Sequence, residues 1–150
     1  MIPTAKSFVL SFLILIPTFC FAGVDGRPCS KLVGVSPIVT KIARNHADLP
    51  GLAAKVNKGE VDFRSACIYY QTHKENPAAI TNMRSSQVGL ATLAKDFREK
   101  IKATKADVEK ALPGARLLEM KECVQQLEGF QPQLKAYEAK IPGDASYKCD

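Results

Sequence analysis

The residues of this chain that could do chemistry are few, and most of them are cysteines. Besides Cys20 near the N-terminus, the sequence contains Cys29, Cys67, Cys123 and Cys149. A reactive or metal-binding thiol set normally contains closely spaced pairs such as C-x-x-C, and these four cysteines lie far apart. An even number of separated cysteines in an exported chain is typical of disulfide bonds. We therefore expect two structural disulfides and no thiol chemistry.

Three pairings of the four cysteines are possible. The simplest joins nearest neighbours in sequence, Cys29 with Cys67 and Cys123 with Cys149. Each such bridge would stabilise the fold by roughly 3 to 4 kcal/mol in the chain-entropy model. That is a large fraction of the stability of a small domain.

The histidines and carboxylates form no catalytic arrangement in the sequence. His46 and His73 are the two histidines; neither belongs to a metal-spaced motif, and we expect both at the surface, at helix ends. Helical charge patterning explains Glu119 and Glu122 beside Cys123. No G-x-S-x-G motif, phosphate-binding loop or dinucleotide fingerprint is present. The sequence therefore predicts no enzyme, no metal site and no bound cofactor.

The first 22 residues have the layout of a secretory signal peptide. Lys6 precedes an apolar run from Phe8 to Ile16, and the small residue Ala22 is the expected cleavage point. Pro17 interrupts the run and no basic stop-transfer cluster follows, which disfavours a membrane span. We expect a secreted mature chain without a membrane-spanning segment, residues 23–150.

Length and charge restrict the function classes further. Removing the leader leaves 128 of the 150 residues, with 20 basic and 15 acidic side chains and a net charge of +5. This length suits one domain. The positive charge permits weak attraction to anionic surfaces, but the basic residues are spread along the chain, and no alternation of aromatic residues and arginine indicates nucleic-acid binding. We expect an extracellular protein as the partner.

Two irregular segments flank the predicted helical body. Residues 23–34 are rich in glycine and short polar residues and predict an arm pinned by Cys29. Residues 142–150 form a short tail that starts with Pro142 and carries Cys149. The body between them is predicted to be a single domain.

The body begins with two short helical patterns. Ser36 followed by Pro37 is typical of an N-cap and first helical position, and the helix is expected to run to Asp48. Pro50 then opens a second short helix, which Gly59 closes. These two pieces predict a helical hairpin.

A third helix and a longer fourth follow. Asp62 is a candidate cap for the third, which places Cys67 on its buried side. Asn76 and Pro77 repeat the cap-and-proline signal. Beyond them the strongest periodic segment of the chain alternates steps of four and three, a heptad seam that packs lengthwise on other helices: Leu90, Ala94, Phe97, Ile101, Thr104, Val108 and Ala111. Solvent-facing candidates occupy the opposite face: Lys95, Arg98, Glu99, Lys102, Lys105 and Lys110. Pro113 and Gly114 are expected to end this helix.

The last helix is expected to start near Arg116. Its apolar positions are Leu117, Met120, Val124, Leu127, Leu134 and Ile141, and Gly129 with Pro132 predicts a kink near Phe130. No segment alternates with a period of two, so strands are not expected. The prediction is an all-α, disulfide-stapled antiparallel bundle of four to five helices.

The leader, the cysteine count, the all-helical pattern and the stretch from Leu90 to Cys123, together with the sequence RLLEMKECVQQLEGFQPQL around Cys123, resemble the plant invertase and pectin methylesterase inhibitor family. Cys149 precedes an acidic residue, as a late cysteine of that family does, and the hairpin expected around Pro50 is similar to the family's N-terminal hairpin. The family closes that hairpin with its first cysteine pair, and the comparable positions here are Ala43 and Ala53.

This resemblance implies a helical bundle that inhibits a carbohydrate-active enzyme, an invertase or a pectin methylesterase, by occupying its cleft. No inhibitory residue can be carried over, because no contact motif matches. Two other classes remain open: a four-helix, cytokine-like signalling protein, and a helical carrier of a small apolar ligand. The sequence leaves the binding face and the oligomeric state open.

Overall fold

Three helices account for nearly all of the chain that the computed structural model describes, namely residues 29, 36–143 and 147–149. They are α1 (Ser36–Thr72), α2 (Pro77–Leu117) and α3 (Lys121–Glu138). The described residues contain no strand, which confirms the all-α class; the expected number of four to five helices is wrong. The predicted leader and all of the predicted arm except Cys29 lie outside the described residues.

The prediction of a hairpin around Pro50 is wrong, because α1 continues through both Pro50 and Gly59. An internal proline costs a helix about 3 kcal/mol. Burial of the side chains of Leu49, Ala53 and Val56 offsets that cost through contacts that the local sequence does not contain. The three separate pieces expected before residue 72 are one helix of 37 residues.

Gly59 has a packing role rather than a terminating one. A Cβ atom at this position would lie 3.3 Å from Cδ1 of Leu93 and 3.4 Å from Cδ1 of Leu90. The missing side chain therefore allows α1 and α2 to approach each other closely midway along their length.

The start of α2 agrees with the sequence prediction. The Asn76 side chain accepts a hydrogen bond of 2.9 Å from the backbone N–H of Ala78, and Pro77 takes the first helical position. The predicted heptad seam is confirmed, because all seven of its residues are buried. Pro113 and Gly114 do not end the helix, since buried Leu112 and Ala115 continue the apolar face past them and α2 runs on to Leu117.

The turn between α2 and α3 explains why the last helix begins later than expected. The N–H of Met120 bonds to the carbonyl of Ala115, and that of Glu119 bonds to Arg116. This is the Schellman pattern of helix termination, with Glu119 at a φ of 53° where glycine is usual. Leu117 is consequently 83% exposed instead of buried in the last helix.

The disulfides join Cys29 to Cys123 and Cys67 to Cys149, so the nearest-neighbour pairing is wrong. Because α1 is continuous, Cys67 lies about 46 Å along the helix from Ser36. The seven residues from Cys29 to Ser36 span at most about 24 Å. Cys29 therefore stays at the end of the bundle where α3 begins, beside Cys123.

The second disulfide fastens the C-terminal tail to the far half of the α1–α2 pair. The Gln87 side-chain amide donates a 2.6 Å hydrogen bond to the backbone carbonyl of Tyr147, two residues before Cys149. The tail therefore continues in the direction of α3 beyond its end at Glu138 and lies against both long helices.

Candidate functional site

His46, predicted at the surface, lies at the junction of the three helices. It is half-buried in the first third of α1, and its ring centroid is 4.9 Å from that of Phe130 and 6.3 Å from that of Tyr137, both on α3. Tyr137 in turn lies 6.1 Å from Phe97 of α2. The predicted break at Asp48 had placed His46 at a helix end; with α1 continuous, its side chain faces α3.

The environment of His46 disfavours its charged form. Burial lowers the pKa of the imidazole below its usual value of 6.5, and a hydrogen bond with Gln133 acts in the opposite direction. No carboxylate contributes to this shift. The ring is therefore a neutral packing element at neutral pH.

The second histidine and the acidic pair do not form a site either. His73 is exposed at the α1–α2 connection and stacks on Tyr69 at 4.3 Å. Glu119 belongs to the turn after α2, whereas Glu122 lies in the first turn of α3. The Nδ1 atom of His73 lies 2.8 Å from the hydroxyl of Thr72 and 3.0 Å from the backbone carbonyl of Tyr69. These contacts are local to the end of α1, where the Thr72 hydroxyl also bonds the backbone carbonyls of Ile68 and Tyr69.

Two described clefts lie on the surface between helices. One, of about 270 Å³, is lined by side chains of α2 and α3: Lys105, Glu109, Gln131, Lys135 and Glu138. The other, of about 430 Å³, lies along α1 beside Lys100 of α2, and its other lining residues are Ala47, Asp48, Gly51, Leu52 and Lys55. Both clefts are shallow and carry charged side chains.

The lysines on the sides of α2 hold the helices together. Lys100 pairs with Asp48 of α1 at 2.9 Å, and Lys105 pairs with Glu138 of α3 at 2.5 Å. Lys105, predicted to face solvent, therefore contributes to the α2–α3 contact. Asp107 of α2 similarly forms an ion pair with Lys41 of α1, with 2.7 Å between the Lys41 Nζ and Asp107 Oδ2 atoms.

The cations on the outer face of α2 differ from those on its sides. We define this outer face by five exposed basic residues and one exposed valine of α2: Arg84, Val88, Lys95, Arg98, Lys102 and Lys110. Among the described residues, its one ion pair is that of Lys95 with Glu99, at 3.9 Å and in solvent. Arg84, Arg98 and Lys102 have no acidic partner in that part of the chain.

A basic strip thus extends along α2 for about 39 Å from residue 84 to residue 110. It holds five cations against the three exposed carboxylates of Asp96, Glu99 and Glu109. Val88, 65% exposed, adds an apolar contact near one end. Sequence periodicity had assigned Lys95, Arg98, Lys102 and Lys110 to solvent, and the structure confirms that assignment. Arg84 and Val88 were missed, although they continue the same face toward the N-terminus of the helix.

No group of three or more His, Cys, Asp or Glu residues able to hold a metal ion occurs in the described ranges. Within those ranges, none of the helices has the length and apolar character needed to cross a membrane.

Comparison of the chain with protein-family models, with curated proteins and with solved structures found no match.

Proposed function

We propose that this is a secreted, non-catalytic protein that binds an acidic site on another protein through the outer face of α2. The supporting observation is the difference between two sets of basic residues on α2. Cations on the sides of α2 pair with carboxylates of α1 and α3, whereas Arg84, Arg98 and Lys102 have no such partner among the described residues. Exposed charges of one sign attract a partner of the opposite sign and accelerate its association.

Inhibition of a carbohydrate-active enzyme is the specific form of this proposal. Glycoside hydrolases carry a pair of catalytic carboxylates in the substrate cleft, so a rigid basic helix is a complementary occupant. Invertase and pectin methylesterase are the targets that the sequence resemblance suggests. The predicted export signal and the two disulfides favour an extracellular compartment, where such enzymes would be met.

The two alternative classes receive less support from the described structure. Cytokine-like four-helix bundles contain two long crossover connections, whereas α1 and α2 are joined by residues 73–76 and α2 and α3 by residues 118–120. A carrier of apolar ligands would have an apolar pocket. Charged side chains make up four of the five lining residues of one described cleft and three of the six of the other.

The direct test is to titrate the mature protein into invertase and pectin methylesterase assays. We expect one of the two enzymes to be inhibited, and inhibition to weaken as salt rises to about 0.5 M, where the screening length falls to a few ångströms. The double variant K95E/K102E should raise the inhibition constant at least tenfold.

The matched control is K74E/K121E, which changes the net charge equally at exposed positions away from the outer face of α2. It should retain most of the inhibition. Equal loss in both variants would show that net charge alone matters. No inhibition of either enzyme at about 10 µM, a concentration that detects weak binding, would exclude the inhibitor function.

A further inference from the structure

The outer face of α1 carries a second heptad pattern that the three-helix core does not use. We call it the α1 seam; its positions alternate steps of four and three, and all are exposed: Ala47, Gly51, Ala54, Lys58, Val61, Ser65, Ile68 and Thr72. Val61 and Ile68 are 62% and 65% exposed. A seam of this period, with small residues between larger ones, suits lengthwise contact with another helix.

The charges beside the α1 seam indicate that the partner helix is α1 of a second copy of the chain. Lys55 and Asp62 lie on the same edge of the seam, one heptad apart. When two copies of α1 pack antiparallel, this edge of one helix faces the same edge of the other, and Lys55 of each copy faces Asp62 of its partner. Symmetry produces this opposite-charge pairing twice.

The same register matches the shapes along the seam. It places Ile68 of one copy opposite Gly51 of the other, and Ala54 opposite Ser65. A Cβ atom built on Gly51 would meet nothing within 4 Å, and Gly51 lines the 430 Å³ cleft together with Lys55. The exposed isoleucine of each copy therefore faces an open groove on the other.

Lys58 is the one charged residue within the seam, and its position fits this arrangement. Its ammonium group is 2.6 Å from Asp62 of the same helix. Because the charge is paired there, the aliphatic part of the Lys58 side chain can pack on Val61 of the second copy. Asp62 would then receive Lys58 of its own chain and Lys55 of the partner.

We propose that the protein forms an antiparallel homodimer through the α1 seam, with Ile68 of each copy seated over Gly51 of the other. The interface is isologous, so it closes at two copies. The outer face of α2 lies on the opposite side of the hairpin from the seam, which leaves the basic strip accessible in the dimer.

Sedimentation velocity of the mature protein over a range of concentrations tests this proposal. We expect a concentration-dependent dimer whose dissociation constant rises at least tenfold in Ile68→Glu. The control is Val88→Glu, which introduces the same charge at an equally exposed position of α2 and should leave the dimer intact.

Two further variants test the register. Gly51→Leu fills the groove where the free monomer has space and should also weaken the dimer at least tenfold, while circular dichroism shows an intact helix. Lys55→Glu should weaken the dimer, and the exchange K55E/D62K should restore part of the loss.

A protein that stays monomeric up to about 1 mM, the limit of weak association, would overturn the proposal, as would equal loss in Val88→Glu and Ile68→Glu. These outcomes are separate from the enzyme assays, since Ile68→Glu should still inhibit. A monomer that inhibits would refute the dimer alone, and a dimer that does not inhibit would refute the proposed function alone.

Discussion

The two halves of the α1–α2 pair differ in what covers them. In the base of the molecule (residues 36–57 and 93–138), α3 packs on both long helices through the aromatic junction of His46, Phe97, Phe130 and Tyr137. The distal hairpin (residues 58–92) has α1 and α2 alone, with the described tail residues 147–149 fastened to it by the Cys67–Cys149 disulfide and Gln87.

This difference determines where apolar side chains are exposed. Of the six large hydrophobic residues that are exposed in the described part of the chain, four lie in the distal hairpin: Val61, Ile68, Tyr69 and Val88. Two helices have too little facing surface to bury every apolar side chain between them. The base therefore contributes most of the core, and the distal hairpin contributes most of the apolar surface available for partners.

The largest expected effect is the loss of stability when one buried phenylalanine is truncated in each region. Phe130 in the base and Phe63 in the distal hairpin are both 1% exposed. Phe130→Ala should destabilise the protein by about 4 kcal/mol, near the middle of the range for such truncations, because Phe130 lies in the three-helix base, whose packing resists collapse onto the resulting cavity. Phe63→Ala should cost about 3 kcal/mol, since a two-helix region relaxes more easily.

Urea unfolding followed by circular dichroism measures both free energies of unfolding. Equal losses, or a larger loss for Phe63→Ala, would contradict the assignment of the base as the main core. Unchanged m-values would show that both variants still unfold as one unit.

A smaller effect concerns the base alone and depends on pH. Because burial lowers the pKa of His46 in the folded state, folding favours the neutral ring. The stability that this provides is fully present above the unfolded value of 6.5 and is lost as pH falls through the folded pKa. Protonation would add a cation beside Tyr137, over whose ring Lys140 already lies at 5.3 Å.

We therefore expect the free energy of unfolding to fall between about pH 7.5 and about pH 5, with part of that fall absent in His46→Gln. Chemical denaturation across this range compares the two proteins. The control is His73→Gln, an exposed position in the distal hairpin, which should keep the wild-type profile. A profile unchanged in His46→Gln would show that the junction tolerates the charged ring.

The sequence predicted the features that depend on local pattern. All seven positions of the α2 seam and the Asn76 cap were located correctly, because period and capping chemistry lie within a few residues of each other. The breaks at Pro50 and Gly59 were wrong, since contacts from another helix outweigh the local cost. That error also hid the α1 seam, which exists only if residues 47–72 are one helix.

Non-local features could not be derived from spacing. The pairing of Cys67 with Cys149 depends on the direction in which α3 and the tail run. The position of His46 likewise depends on α1 being continuous. For the outer face of α2, periodicity was sufficient to predict which cations face solvent, but not that Lys105 meets Glu138.

The smallest expected effect is the gain in stability from replacing one exposed helical glycine in each region with alanine. It tests whether the base and the distal hairpin unfold together. Gly89 in the distal hairpin and Gly129 in α3 are exposed helical glycines, and a Cβ atom at either would meet nothing within 4 Å. Alanine should stabilise each helix locally by about 0.5 to 1 kcal/mol. In a single cooperative unit, both substitutions raise the free energy of global unfolding equally.

If the distal hairpin opens independently, Gly89→Ala will increase amide-exchange protection only within residues 58–92, while Gly129→Ala raises the midpoint of global unfolding. We expect one unit, because the Cys67–Cys149 disulfide connects the distal end of α1 to the segment that follows α3. Reducing the disulfides should then separate the two responses, with Gly89→Ala losing its global effect. Separate responses in the oxidised protein would show that the disulfide holds the tail without coupling the two regions.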